Sequence, residues 1–141
     1  MLYKEIVDYI KSKIETHQVV KSVYVGMEPI RTLKDVEYPL IYIFPQDVER
    51  YEKYKTYTFE LYYCDKKSAD EGNLMQILYQ GEAVLNDIIT FFQFDENLTI
   101  EFTQVITPFI DAYDQMLCGQ ILTLNLLDLK TPINNCETNF N

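Results

Sequence analysis

The run from Ser68 to Phe92 limits the fold most, because it is the longest stretch whose apolar residues keep one helical period. Leu74, Ile77, Leu78, Val84, Leu85, Ile88, Ile89 and Phe92 recur at intervals of three and four, which lines them along a single stripe. Ser68 and Glu71 have the spacing of a capping box, so the helix is predicted to start there. At about 1.5 Å per residue the predicted helix is roughly 37 Å long, enough to cross a small sheet. Gly81 falls on the stripe. A missing side chain there admits a strand at close range, at about 1 kcal/mol of helix propensity relative to Ala.

Around this helix the chain reads mostly as strands. Residues 2–16 come first and form an amphipathic helix, with Leu2, Ile6, Ile10 and Ile14 on one face, Tyr3 and Val7 beside them, and Lys4, Lys11, Lys13 and Glu15 opposite. His17 ends it, where an imidazole caps carbonyls or sits in water. Val19 to Val25 is β-branched, alternates and stops at Gly26, which predicts a strand, followed by a polar loop from Met27 to Glu37. Pro39 to Pro45 encloses a continuous apolar run, the pattern of a short strand buried on both faces. Tyr51 to Cys64 alternates, with Tyr57, Phe59, Leu61 and Tyr63 on one side and Thr56, Thr58, Glu60 and Tyr62 on the other. The charged stretch Gln46 to Tyr54 predicts an exposed hairpin. After the long helix, Leu98, Ile100 and Phe102 alternate with Thr99, Glu101 and Thr103 in a strand ending near Pro108. Phe109 to Gly119 is irregular, and Ile121 to Leu129 is the last strand, with Leu122, Leu124 and Leu126 opposite Thr123 and Asn125. The order helix, strands, helix, strands with short connections predicts an α+β fold: a mainly antiparallel sheet packed by an N-terminal helix and one long central helix.

With 141 residues, 48% of them hydrophobic, the chain can bury a core without staples. The expectation is one domain over residues 1–132 and an exposed arm over 133–141. The opening residues lack a signal-peptide pattern, and no apolar run approaches the roughly 18 residues of a membrane span, so folding in a cytoplasm is expected. Cys64, Cys118 and Cys136 form neither a C-x-x-C pair nor an even set, which points away from a disulfide framework or a thiolate zinc site. Charge is segregated. Residues 1–67 carry 11 basic and 11 acidic side chains, whereas residues 68–141 carry Lys130 against 11 acids. An acidic half repels phosphate and argues against tight nucleic-acid binding; equally, it can serve solubility alone.

Tests for chemistry return little. His17 is the only histidine, and no Ser or Cys forms a recognisable nucleophile signature with it, so it reads as a surface residue. Gly26, Gly72, Gly81 and Gly119 are too scattered for a phosphate-binding loop. Asp111 and Asp114 could share a proton or a hard cation, but turn-stabilising aspartates are the simpler reading. The Tyr51, Tyr54, Tyr57, Tyr62 and Tyr63 group lacks the basic groove of a single-strand binder; sheet packing or a protein interface suits it better. No catalytic residue, cofactor or metal site is expected.

Three segments carry a resemblance: Tyr57-Thr-Phe-Glu-Leu-Tyr-Tyr-Cys-Asp65, the long helix after it, and Phe109-Ile-Asp-Ala-Tyr-Asp-Gln-Met-Leu-Cys-Gly119 leading into a Leu-rich strand. Together they resemble the tail-terminator, tail-completion and neck proteins of tailed bacteriophages, over about residues 1–130. The Asp111-x-x-Asp114-x-x-x-x-Gly119 stretch with a later Cys136 is similar to versions associated with phages of Bacteroides-type hosts. The resemblance implies a structural virion subunit, assembled in a host cytoplasm. It would close into a homo-oligomeric ring at the head–tail junction or tail end, against neck, portal-side or tail-tube proteins, with DNA passing through. One sheet face would line the channel, and Thr56, Thr58, Glu60, Thr99, Glu101, Thr103, Thr123 and Asn125 are the candidates for that face, a set without Lys or Arg. Such a wall lets DNA pass because phosphate binding grows with each cationic contact; threonine is also simply favoured in strands. Two other readings compete: an acidic adaptor or inhibitor of a single partner protein, and an enzyme using Asp111 and Asp114 with a metal.

Overall fold

Both expected helices lie on one face of a six-stranded sheet in the computed structural model, which describes residues 3–101, 104–110 and 116–128. Helix α1 runs Tyr3–Ile14 and buries Ile6, Ile10 and Ile14. Helix α2 runs Leu74–Gln93 and buries Ile77, Gly81, Val84, Leu85, Ile88 and Phe92, the predicted stripe. The strands are β1 (Ser22–Val25), β2 (Leu40–Arg50), β3 (Lys55–Lys66), β4 (Thr99–Ile100), β5 (Val105–Ile110) and β6 (Leu117–Asp128). The order across the sheet is β1-β2-β3-β6-β4, with β5 following β4 along β6. All pairs are antiparallel except β1 with β2. The fold is therefore α+β with a mainly antiparallel sheet and two helices.

The expected start of α2 is wrong by six residues, and side-chain competition explains it. Asp70 takes the Ser68 hydroxyl at 2.7 Å and the Gly72 N–H at 3.0 Å, while Asn73 accepts the Ser68 N–H at 2.7 Å and donates to the Lys66 carbonyl at 3.1 Å. Glu71 sits at φ 61°, in the left-handed region, so it cannot occupy a helical turn. Polar side chains offering the backbone local partners replace a helix start by a turn.

Strand limits also differ from expectation. β1 is shorter than Val19 to Val25. β2 does not stop at Pro45, because a bulge between Pro45 and Val48 absorbs the proline and pairing resumes to Arg50. Leu40, Ile41, Tyr42 and Ile43 are buried on both faces as expected. The hairpin turns at residues 51–54, where the Tyr51 N–H meets the Tyr54 carbonyl at 2.8 Å. The expected strand around Leu98 to Phe102 is only two residues long, and a second one, β5, continues through Pro108 to Ile110. β6 starts at Leu117, inside the stretch expected to be irregular.

Ile41, Ile43, Phe59, Leu61, Tyr63, Leu122, Leu124 and Leu126 meet the helices in the main core. A second, smaller cluster occupies the opposite face. Leu40, Cys64 and Leu117 pack there beneath Ile30, Leu33, Val36 and Tyr38 from the connection between β1 and β2. That connection, expected to be a polar loop, contains a 3₁₀ turn at Ile30–Thr32 and covers one end of the sheet.

Candidate functional site

Sheet register decides which predicted residues share a face. Thr56, Thr58 and Glu60 of β3 pair with Leu127, Asn125 and Thr123 of β6, and Thr99 of β4 also pairs with Leu127. Alternation therefore places Thr56, Thr58, Glu60, Thr99, Thr123 and Asn125 together, on the face away from the helices. The Thr58 hydroxyl donates to Asn125 Oδ1 at 2.7 Å, and the Glu101 N–H, just past β4, reaches the Asn125 carbonyl at 3.0 Å. Glu101 holds Gln104, whose Nε2 donates to its carbonyl at 2.9 Å. Thr103, Asp111, Asp114, Lys130, Cys136 and the arm 133–141 lie outside the described residues.

The face differs from a uniform polar wall in three ways. Thr56 is only 6% exposed, so it is packed rather than displayed. Lys66 belongs to the same face at the far end of β3, its ammonium 5.3 Å from the Tyr38 ring centre, so the face is not free of bases along its whole length. Its far half is aromatic and aliphatic: Tyr42, Phe44, Tyr62, Phe109 and Ile121 replace threonine there. The polar half is bounded at the hairpin by Tyr51 and Tyr54, stacked at 4.6 Å, and by Glu49, which accepts the Tyr51 hydroxyl. Glu49 first, and Glu101 more weakly, raise the Tyr51 hydroxyl above its ordinary value. The carboxylates of Glu49 and Glu101 thus gather around the hairpin end of the face.

A cleft of about 520 Å³ lies on the helix side of the molecule, between the end of α1 and the C-terminal part of α2. Ile14, Val19, Ile88, Phe91 and Phe92 form its apolar lining. His17 joins its walls: Nε2 is 2.9 Å from Asp87 Oδ2, and Nδ1 accepts the Val19 N–H at 3.1 Å. The Val19 contact makes Nδ1 the acceptor and leaves the proton on Nε2, pointing at Asp87. His17 is a partly exposed residue, its side chain 19% exposed, and it ties the segment after α1 to Asp87 of α2. No nucleophile is paired with it among the described residues, and the arrangement is that of a tether.

No group of three His, Cys, Asp or Glu able to hold a metal occurs among the described residues. Cys64 and Cys118 are buried cysteines outside any disulfide among the described residues, on opposite faces of the sheet, and burial raises the Cys118 thiol above its ordinary value. Burial likewise pushes the Tyr63 hydroxyl far up, and it donates to Gln80 Oε1 at 2.9 Å. No described helix is long and apolar enough to cross a membrane.

Sequence reading missed the His17–Asp87 tether because its members are 70 residues apart. It also missed the aromatic half of the second face, because alternation assigns residues to faces within a strand but not to neighbours across strands. A scan against protein-family models found no match to this chain, and a search of curated proteins found none either.

Proposed function

We propose that this chain is a structural, non-enzymatic subunit of a tailed bacteriophage, closing into a ring at the head–tail junction or tail end through which DNA passes. The resemblance carried by Tyr57–Asp65, α2 and the segment leading into β6 motivates the reading. The observation that supports it best is the inequality of the sheet's two faces. One is sealed by both helices; the other carries Thr58, Glu60, Thr99, Glu101, Thr123 and Asn125 toward the hairpin end, without a base among them. A wall of hydroxyls and carboxylates passes DNA without gripping it, because each cation added would release counterions and strengthen binding.

The test is the double substitution Glu60→Lys and Glu101→Lys in assembled particles. Glu60 loses its bond from the Tyr62 hydroxyl, 3.2 Å long, so each chain is destabilised by about 1 kcal/mol or less. Assembly should continue, while DNA is retained or ejected abnormally, with partial rescue at high ionic strength. Ejection at the wild-type rate would remove both residues from the channel wall.

A second reading, an acidic adaptor for one partner protein, is favoured by the outer surface of α2. It carries Glu82 and Asp87, exposes Met75 and Tyr79, and has no Lys or Arg anywhere along it. A one-to-one complex by mass in solution, with no closed ring, would select this reading instead.

A further inference from the structure

On the second face, four aromatic residues together with Glu28, Pro29 and Ile30 line a cavity of about 160 Å³. Tyr42 and Tyr62 are direct partners across the β2–β3 ladder, Phe44 is one position along on the same face, and Phe109 comes from β5. Phe109 pairs with Gly119 of β6, a position with no room for a side chain, since a Cβ there would stand 1.7 Å from the Tyr63 carbonyl oxygen. The bare backbone lets the Phe109 ring reach over β6 to Tyr62, 5.6 Å away and at 83° to it. Phe44 meets Tyr62 at 6.4 Å and 67°, and Tyr42 meets Phe44 at 6.3 Å and 37°. The same four aromatic residues line the hollow. Glu28, Pro29 and Ile30, from the connection between β1 and β2, close the remaining side.

We propose that this hollow is an aromatic cage for a cation, and that its occupant is an arginine side chain presented by a neighbouring protein. Size decides first. Metabolite pockets span roughly 300–1,000 Å³, so this one holds the end of one side chain and not a cofactor. Charge decides next. Glu28 stands exposed on the rim, Glu60 lies behind Tyr62 and accepts its hydroxyl, and no described lining residue is basic. Aromatic faces attract cations, and the planar guanidinium can slide between rings while its fork reaches a carboxylate, which an ammonium cannot do in two places at once. Tyr42 anchors the floor at 1% exposure, so the cage is built before any partner arrives. The inference does not depend on ring assembly and is read on the isolated full chain.

The test is titration with acetyl-Gly-Arg-Gly-amide, followed by the ring resonances of Phe44 and Tyr62. Citrulline in place of arginine gives a neutral probe of nearly the same shape. The arginine peptide should shift these resonances saturably with a Kd of about 1 mM, and the citrulline peptide should bind at least about tenfold more weakly. Glu28→Gln, at an exposed position, should weaken the arginine peptide several-fold, and Phe44→Leu should do the same. If Phe44→Leu unfolds, the arginine-to-citrulline ratio on the unmodified protein still decides. Equal binding of the two peptides, or no saturable shift, overturns the cage; a lysine peptide binding as tightly as arginine overturns the assignment of its occupant.

Discussion

Gly81→Ala measures how closely α2 rests on the sheet. The added Cβ would stand 2.8 Å from Tyr63 Cδ1 and 3.1 Å from Gln120 Cγ. Carbon atoms settle at about 3.5–4.0 Å, so the Tyr63 ring must retreat by roughly 0.7 Å. It has nowhere to go: Tyr63 is fully buried and its hydroxyl is tied to Gln80 on the same helix. Gln120 can give more easily, although its Nε2 bond to the Leu78 carbonyl, 3.2 Å, would be disturbed. Overpacking of this kind costs about 1–3 kcal/mol, against about 1 kcal/mol gained in helix propensity. A net loss of about 1 kcal/mol is expected for alanine, and up to roughly 3 kcal/mol for leucine, whose further atoms find no cavity. In urea the alanine variant should lose about 0.5 M in midpoint with an unchanged slope. A double-mutant cycle with Tyr63→Val, which removes the ring, should recover part of the loss as a coupling of about 0.5 kcal/mol or more. An unchanged or raised midpoint for Gly81→Ala would mean that helix propensity prevails and that α2 stands farther from β3 and β6 than described.

Two further outcomes follow from single contacts. Gly119→Ala brings a Cβ against the Tyr63 carbonyl in the central strand pair, where backbone must move, so a loss above about 3 kcal/mol is expected; a soluble variant with a near-wild-type midpoint would refute the contact. Asp70 is held below its ordinary value of 3.8, first by the Gly72 N–H and then by the Ser68 hydroxyl. A depressed folded pKa stabilises above the ordinary aspartate range and loses that stabilisation as pH falls through the folded value. NMR titration should therefore place the Asp70 midpoint below 3.8, and Asp70→Asn should remove that part of the acid dependence; a midpoint at or above 3.8 would contradict the turn geometry.

What was legible in the sequence was whatever repeats within one element. Ile6, Ile10 and Ile14, the α2 stripe with Gly81, and the Tyr57–Tyr63 and Leu122–Leu126 alternations are periodic, and periodicity follows from burial on one side. Ends were less legible, because they are settled by rival local bonds: Ser68 and Glu71 have capping-box spacing, yet Asp70 and Asn73 win the donors. Pro45 looked like a terminator because a bulge two residues later cannot be read from composition. The polar strip was half legible, since alternation grouped Thr58 with Glu60 and Thr123 with Asn125 while giving no account of what lay farther along the same face. The aromatic cage was not legible at all. Its members come from β2, β3, β5 and a connection, and only the register of three ladders puts them around one hollow.

The central pairing of β3 with β6 also governs how the molecule comes to exist. Their partnered residues are separated by between 51 residues, from Lys66 to Leu117, and 73 residues, from Lys55 to Asp128. The β2–β3 hairpin and α2 are local and can form early, whereas the middle of the sheet must await a long loop closure. During synthesis the hairpin is complete while the strand that will cover its inner edge has not yet left the ribosome, so the edge of β3 stands open for the time needed to add about 60 residues, several seconds at typical elongation rates. In that interval α1, made earlier, and α2, joined to β3 by a short turn, shelter the apolar face of the hairpin, which makes the close seat of Gly81 on Tyr63 a safeguard of the nascent chain as well as of the finished one.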